Sequence, residues 1–269
     1  MDDESIDSSD WVIQSDKLLG SGAWSHVYYA SQPMTGLVAA CKVILKNTIE
    51  KLRLARNEIA ILTEIHHANI IKLQSVINKQ DRYELFLEYF PEGDLYERTN
   101  KMKDYNLPYH ECKSIGRQIA SAINYLHGRD IVHRDIKADN ILMRGDKAVL
   151  CDMGLSRRLE RSNEYLFDWV GSPMYASPEL INRIPYRKGP DVWAFGVLLY
   201  LIVTGDIPFD ETEENKDGLA MVNVHEPPNY NHKLLTDGCI ISLLRTIFVL
   251  IEKKRASIEE VIQHEWFAP

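Results

Sequence analysis

Apolar residues in the first third of the chain recur in short runs. Residues 27–30 and Val38–Leu45 are β-branched, aromatic or small apolar stretches separated by the turn formers Pro33 and Gly36, which predicts two strands. Residues 48–65 instead place Ile49, Leu52, Ile59 and Leu62 at helical spacing, and residues 83–90 read as one more strand. From Leu95 onward the pattern is mostly helical, with helices predicted over Tyr109–His127, 191–203, 240–251 and 257–263. Pro91 and Gly93 interrupt the apolar pattern between 88 and 93. The expected architecture is therefore α+β and bilobal. A small β-rich lobe with one main helix spans about 11–87, a hinge 88–93, and a larger helical lobe 94–267, with an acidic extension over 1–10. A cleft between such lobes is where ligands are expected to bind.

Composition narrows the class. The chain has 269 residues, 45% apolar and 26% charged, ample material for a core. Its longest apolar run, 195–203, is about half of the roughly 20 residues a membrane helix needs, so no membrane association is expected. Residues 1–10 lack the basic and apolar regions of a secretory signal. Four scattered cysteines (Cys41, Cys112, Cys151, Cys239) form neither a disulfide framework nor a metal pattern, so the cytoplasm or nucleus is expected. A net charge of −8 argues against nucleic-acid binding and is compatible with basic peptides.

Three constellations carry candidate chemistry. Gly20, Gly22, Ser25 and Val27 lie between strand candidates, where glycines let backbone N–H groups approach a polyphosphate; an ordinary glycine hairpin reads the same way. A strand follows, not a helix, which excludes the dinucleotide fingerprint and the Walker loop. Lys42 sits inside an apolar strand, where an ammonium is costly without a partner. Either it is an edge lysine facing water, or it pairs with a carboxylate such as Glu58 and with ligand phosphates. The densest cluster is His133, Arg134, Asp135, Lys137, Asp139 and Asn140, followed by Asp152 and Gly154. Apolar residues flank both pieces, so polar loops are mounted on buried strands. One carboxylate suits proton acceptance from a hydroxyl; a carboxamide and a second carboxylate are hard oxygen donors suited to Mg²⁺.

In order and spacing these motifs resemble the eukaryotic protein kinase family, over about Trp11 to Phe267. The resemblance implies ATP and Mg²⁺ as cofactors. It assigns Leu19, Gly20, Gly22, Val27, Ala40, Leu87, Glu88, Phe90 and Leu142 to ATP binding, with adenine between Ala40 and Val27 on one side and Leu142 on the other. Lys42 and Glu58 match the phosphate-contacting lysine and its helix partner. Asp135 matches the catalytic aspartate, Lys137 the lysine typical of serine/threonine kinases, and Asn140 and Asp152 the metal ligands. Ser172 stands where a hydroxyl bridges the catalytic aspartate and lysine, and Arg255 looks like the partner of Glu179. Asp94 and Asp139 match acids that select a basic residue three positions before the acceptor. The implied function is a serine/threonine protein kinase in the calmodulin-dependent kinase group, near its AMP-activated-kinase-related and checkpoint-kinase branches, with a signalling or cell-cycle role. A monomeric catalytic domain acting on basic protein substrates is expected, and a catalytically weak ATP-binding scaffold is the alternative. As the sequence stops at Pro269, no calmodulin-binding tail is expected.

The sequence departs from that pattern at several points. Ser25 replaces the third glycine of the loop, Trp24 takes its tip, and Met153 replaces the usual phenylalanine after the metal aspartate. Asp168 stands where many relatives carry an activating phosphothreonine. The expectation is that its carboxylate pairs with Arg134, against an unpaired acid on a loop. Ser156, Ser162 and Tyr165 are hydroxyls of the same segment.

Overall fold

The computed structural model describes residues 10–22, 24–102, 105–161, 163–209, 224 and 226–268. Most of the acidic 1–10 stretch and Ser162 lie outside these residues. The chain divides into two compact units, Met1–Pro91 with Asp152–Gly154, and Glu92–Cys151 with Leu155–Pro269.

The first unit is a five-stranded antiparallel sheet and one helix. Strands β1 (Val12–Ser21), β2 (His26–Ser31), β3 (Val38–Leu45), β4 (Leu73–Asn78) and β5 (Arg82–Leu87) take the order β1-β2-β3-β5-β4. The predicted strand over 27–30 is β2, and β3 falls where expected. The last strand ends at Leu87, three residues earlier than its apolar pattern, because Glu88 turns its N–H to the Lys72 carbonyl at 2.9 Å. Strands β1 and β4 form the two edges. Polar residues such as Gln14, Asp16 and Lys17 fill β1 and its register is irregular, so alternation does not announce it. Helix α1 (Ile49–Glu64) starts where Thr48 accepts the Lys51 N–H, and buries Ala55, Glu58, Ile61 and Leu62 along one face. Trp11 stacks on Phe86 at 4.9 Å over a core of Ala30, Ala39 and Cys41.

The second unit is helical. Its helices are α2 (Leu95–Asn100), α3 (Tyr109–His127), α4 (Pro178–Ile181), α5 (Gly189–Thr204), α6 (Gly238–Ile247) and α7 (Ile258–Ile262). Two short antiparallel sheets pair β6 (Ile131–Val132) with β9 (Arg157–Arg158), and β7 (Ile141–Arg144) with β8 (Lys147–Leu150), the second pair being a hairpin. Helix α5 is buried on nearly every side, as a helix apolar all round must be. Gly196 lets α6 approach it: a Cβ there would lie 2.4 Å from Ile247. Helix α6 ends at Ile247, short of the predicted Ile251. Phe248 leaves the helix to pack on Trp193 at 5.1 Å, and Leu250 and Ile251 face solvent. Ser257 and Glu260 form a capping box that fixes the start of α7.

Candidate active site

Within the first unit, Lys42 projects from β3 and is 8% exposed. Its ammonium donates to both Glu58 oxygens at 2.8 Å and to Asp152 Oδ1 at 2.9 Å. Glu58 comes from the buried face of α1, and Asp152 from a residue held at φ 60°. An ammonium in an interior strand is tolerated because two carboxylates replace its water. Burial alone would lower the Lys42 pKa, but Asp152 and Glu58 reverse this and hold it above the usual lysine range. Burial pushes the Glu58 carboxyl up, opposed by Lys42 and by the Met153 N–H. Met153 is fully buried, where a flexible thioether is well suited to filling apolar space.

The glycine loop joins β1 to β2 in the same unit. Gly20 pairs with Val27, and the Gly22 N–H donates to the Ser25 carbonyl at 3.0 Å. A Cβ at Gly20 or Gly22 would meet nothing within 4 Å, so no packing demand accounts for either glycine. Trp24 is 41% exposed near the tip, and Ala23 lies outside the described residues. Leu19 is exposed, Val27 and Ala40 are half-buried and paired to neighbouring strands, and Leu87 and Phe90 are buried. Glu88 is half-buried.

The second unit carries the densest cluster. Asp135 Oδ1 accepts from Ser172 Oγ at 2.9 Å, and Oδ2 from Asn140 Nδ2 at 2.8 Å and Lys137 Nζ at 3.2 Å. Lys137 Nζ also donates to Ser172 Oγ at 2.8 Å, so the hydroxyl bridges lysine and aspartate. Gly171 permits this approach. At φ 99°, with its Cβ position 2.5 Å from the Arg134 carbonyl, no other residue fits. Asn140 spends its amide N–H groups on the Asp135 carbonyl and carboxylate. Its amide oxygen is left without a partner among the described residues, a donor of the class Mg²⁺ selects. Asp152, whose side chain is 46% exposed, is the corresponding oxygen donor of the first unit. No group of three or more His, Cys, Asp or Glu residues forms a metal cage among the described residues. An ion that keeps waters and takes phosphate oxygens needs none.

Sequence reasoning missed what holds this loop in shape. Asp191, in the first turn of α5, accepts the main-chain N–H groups of His133 and Arg134 at 2.8 Å each, and sits 2.9 Å from His127 Nε2. Burial alone would raise the Asp191 pKa. The His127 contact and the N–H donors outweigh it and keep the carboxyl below the usual aspartate range. His133 Nδ1 accepts the Asp135 N–H at 3.2 Å, which assigns its N–H to Nε2, facing the Cys151 carbonyl at 3.0 Å. The detectable signal was a single charged residue heading an otherwise apolar helix.

Arg134, at φ 70°, donates from Nε to the Leu155 carbonyl at 2.6 Å. Its Nη1 reaches Asp168 Oδ2 and the Tyr186 hydroxyl, both at 3.5 Å, while Tyr186 Oη donates to the Asp168 carbonyl at 2.8 Å. Glu179 and Arg255 form a buried bidentate pair at 2.6 and 2.9 Å. Asp94 caps α2, accepting the Glu97 N–H at 2.7 Å. Burial, reinforced by Glu97 and Asp139, pushes its carboxyl up. Asp139 is exposed, and Leu142, half-buried in β7, pairs with Val149.

A family model described as Protein kinase domain matches residues 13–267. The chain is 34% identical over 254 residues to NUAK family SNF1-like kinase 1 of Homo sapiens, covering 92% of this chain and 37% of that protein. It is 31% identical over 271 residues to serine/threonine-protein kinase D3 of Mus musculus, covering 98% and 30%. It is also 35% identical over 261 residues to the probable serine/threonine-protein kinase MARK-A of Dictyostelium discoideum, covering 94% and 24%. The chain thus spans about a quarter to two fifths of the length of these relatives.

Proposed function

Because the chain belongs to the protein kinase domain family, we propose that it transfers the γ-phosphoryl group of ATP to serine or threonine hydroxyls of proteins carrying a basic residue three positions before the acceptor. The observation that carries this reading is the Asp135–Ser172–Lys137–Asn140 arrangement. In the reaction Asp135 orients the acceptor hydroxyl and takes its proton. Lys137 lies 3.2 Å from Asp135, where a cation offsets negative charge gathering on the transferred group. Ser172 holds the two in register. Lys42, fixed by Glu58, grips the nucleotide phosphates, and the N–H groups of the Gly20–Gly22 turn approach the same oxygens. Asn140 and Asp152 would hold Mg²⁺, which would supply charge neutralisation on the phosphate oxygens.

The adenine-contacting residues are Leu19, Val27, Ala40, Leu87, Glu88, Phe90 and Leu142. Asp94 and Asp139, coupled through their charges, select the basic side chain. All four cysteines are free, which suits action in the cytoplasm or nucleus. The likeness to AMP-activated-kinase-related enzymes supports a signalling role. The test is radiolabel transfer from γ-labelled ATP to a serine peptide with arginine at −3. Transfer abolished by Asp135→Asn supports the reading; an array preferring acidic or proline-directed peptides would remove the basic preference. No transfer to any peptide, with ATP still bound, would make the chain a scaffold.

A further inference from the structure

Away from the residues assigned to transfer, the second unit holds a groove of about 450 Å³ whose walls include Tyr165, Arg187, Lys188, Lys253, Glu252 and Glu259. Most of its charges are committed. Lys188 donates to Asp130 at 2.7 Å and to the His127 carbonyl at 2.6 Å. Glu252 Oε1 accepts the main-chain N–H groups of Arg187 and Gly189, at 2.9 Å each. Two cations remain, the Arg187 guanidinium and the Lys253 ammonium, neither with an ion pair among the described residues; Glu259 is exposed at the rim. Arg187 Nε is buried with no hydrogen-bond partner. A donor buried without an acceptor is costly, and its presence marks where an acceptor belongs.

Tyr165 supplies the means of bringing one. Its ring is 39% exposed, and its hydroxyl makes no hydrogen bond among the described residues. The next residue is pinned by a two-bond bridge: Leu166 N–H to the Tyr186 carbonyl at 2.8 Å, and Tyr186 N–H to the Leu166 carbonyl at 3.0 Å. Tyr165 is thereby held beside Arg187, the neighbour of Tyr186.

We propose that Tyr165 is a phosphorylation site for a separate tyrosine-directed kinase, and that Arg187 and Lys253 hold the resulting phosphate in this groove. The phenol oxygen forms a bond to the γ-phosphorus of ATP, the bond from that phosphorus to the β–γ bridging oxygen breaks, ADP leaves with the electron pair, and the phenolic proton passes to the modifying enzyme's base. The phosphate adds about two negative charges and three strong acceptors. It meets two cations that have no salt bridge among the described residues, though Arg187 also feels the Asp130 charge, and one of them can donate bidentately. The contact ties the segment containing Arg157, Arg158 and Arg161 to the start of α5. This inference goes beyond the proposed activity, since another enzyme supplies the phosphate, and its test does not depend on the chain's own catalysis.

The chain is treated with a broad-specificity tyrosine kinase, ATP and Mg²⁺, and the phosphate is located by fragment mass spectrometry. Trypsin cleavage after Arg157, Arg158 and Arg161 is expected to slow about fivefold or more, the effect of a segment opening less often. The ³¹P signal is expected to titrate below the roughly pH 6 of a free phosphotyrosine. Both effects should vanish in Arg187→Gln/Lys253→Gln, and Tyr165→Phe should show no protection after the same treatment. Lys253→Gln alone, an exposed change, should halve the titration shift and keeps the test decisive if the double variant unfolds. Modification of exposed Tyr96 or Tyr105 with none at Tyr165 overturns the proposal. So does protection or titration unchanged by the variants.

Discussion

Asp191 and Arg134, 57 residues apart in sequence, are joined by a 2.8 Å bond from the Arg134 main-chain N–H to a fully buried carboxylate oxygen. The same carboxylate holds the His133 N–H and faces His127. Arg134 sits at φ 70°, a conformation costing roughly 1–3 kcal/mol outside glycine, and it persists because Asp191 fixes the N–H groups of His133 and of Arg134 itself. Asp135, which follows directly, inherits its direction from that turn.

Replacing Asp191 should therefore damage stability and activity together. Asp191→Ala strands three donors in a buried site, and a loss of about 3–5 kcal/mol is expected in urea unfolding, the scale for breaking a buried charged network. The pH dependence has a definite sign. The folded Asp191 pKa lies below its unfolded value near 3.8, so its stabilisation is present above about pH 4 and lost as pH falls through the folded value. Acid unfolding followed by circular dichroism should be shallower in Asp191→Asn than in the natural chain. Parallel curves would assign the acid sensitivity elsewhere.

Lys42 predicts the opposite limb. Its folded pKa lies above the ordinary lysine value of 10.5, so its contribution to stability is complete below about pH 10.5 and fades only as pH rises through the folded value. An ammonium that stays protonated is a poor nucleophile. At pH 9 Lys42 should acetylate far more slowly than exposed Lys101 or Lys254, and Glu58→Gln should speed it up by removing one of its two carboxylates. Site-resolved mass spectrometry reads both rates. Equal acetylation of Lys42 and Lys101 would contradict the buried pairing.

These two residues also mark what the sequence makes legible. Lys42 was readable because an ammonium inside an apolar strand demands a partner, and Glu58 because a carboxylate on the apolar face of a helix demands one too. Asp135, Asn140 and Asp152 stood out as polar groups between apolar triplets. Asp191 was not readable in the same way: its partners are main-chain N–H groups, which every residue has, brought to it by tertiary folding. The strand ahead of the glycine loop, β1, had no legible bounds because an edge strand has one row of hydrogen bonds and little burial, so Gln14, Asp16 and Lys17 are tolerated where a central strand would exclude them.

Ser172 offers a test of positioning. Its hydroxyl receives the Lys137 ammonium at 2.8 Å and donates to Asp135 at 2.9 Å. Removing it leaves both charged groups in place without their bridge. Ser172→Ala should lower kcat on a serine peptide by about 10- to 100-fold, the scale of one lost hydrogen bond to a charged group, with little change in KM for ATP. Ser172→Thr, which keeps the hydroxyl, should recover most of the rate. A threonine variant as slow as the alanine variant would show that volume, not the hydroxyl, matters there.

Asp168 and Arg134 test whether a carboxylate orders the activation segment without an added phosphate. The direct contact is weak by geometry: 3.5 Å, with 56% of the Asp168 side chain exposed, a class of pair worth under about 1 kcal/mol. Arg134 has a second and shorter anchor in the Leu155 carbonyl at 2.6 Å, and the segment has its own in the Tyr186 hydroxyl, which holds the Asp168 carbonyl at 2.8 Å. Asp168→Ala should thus lower unphosphorylated peptide kinase activity only about two- to fivefold, and 0.5 M salt should erase most of that difference by screening. Arg134→Ala, which loses both contacts, should cost at least ten times more. Tyr186→Phe removes the main-chain anchor and should fall between them. Full activity in Asp168→Ala at low salt, alongside loss in Arg134→Ala, would leave Arg134 acting through Leu155 alone and exclude the carboxylate from ordering the segment.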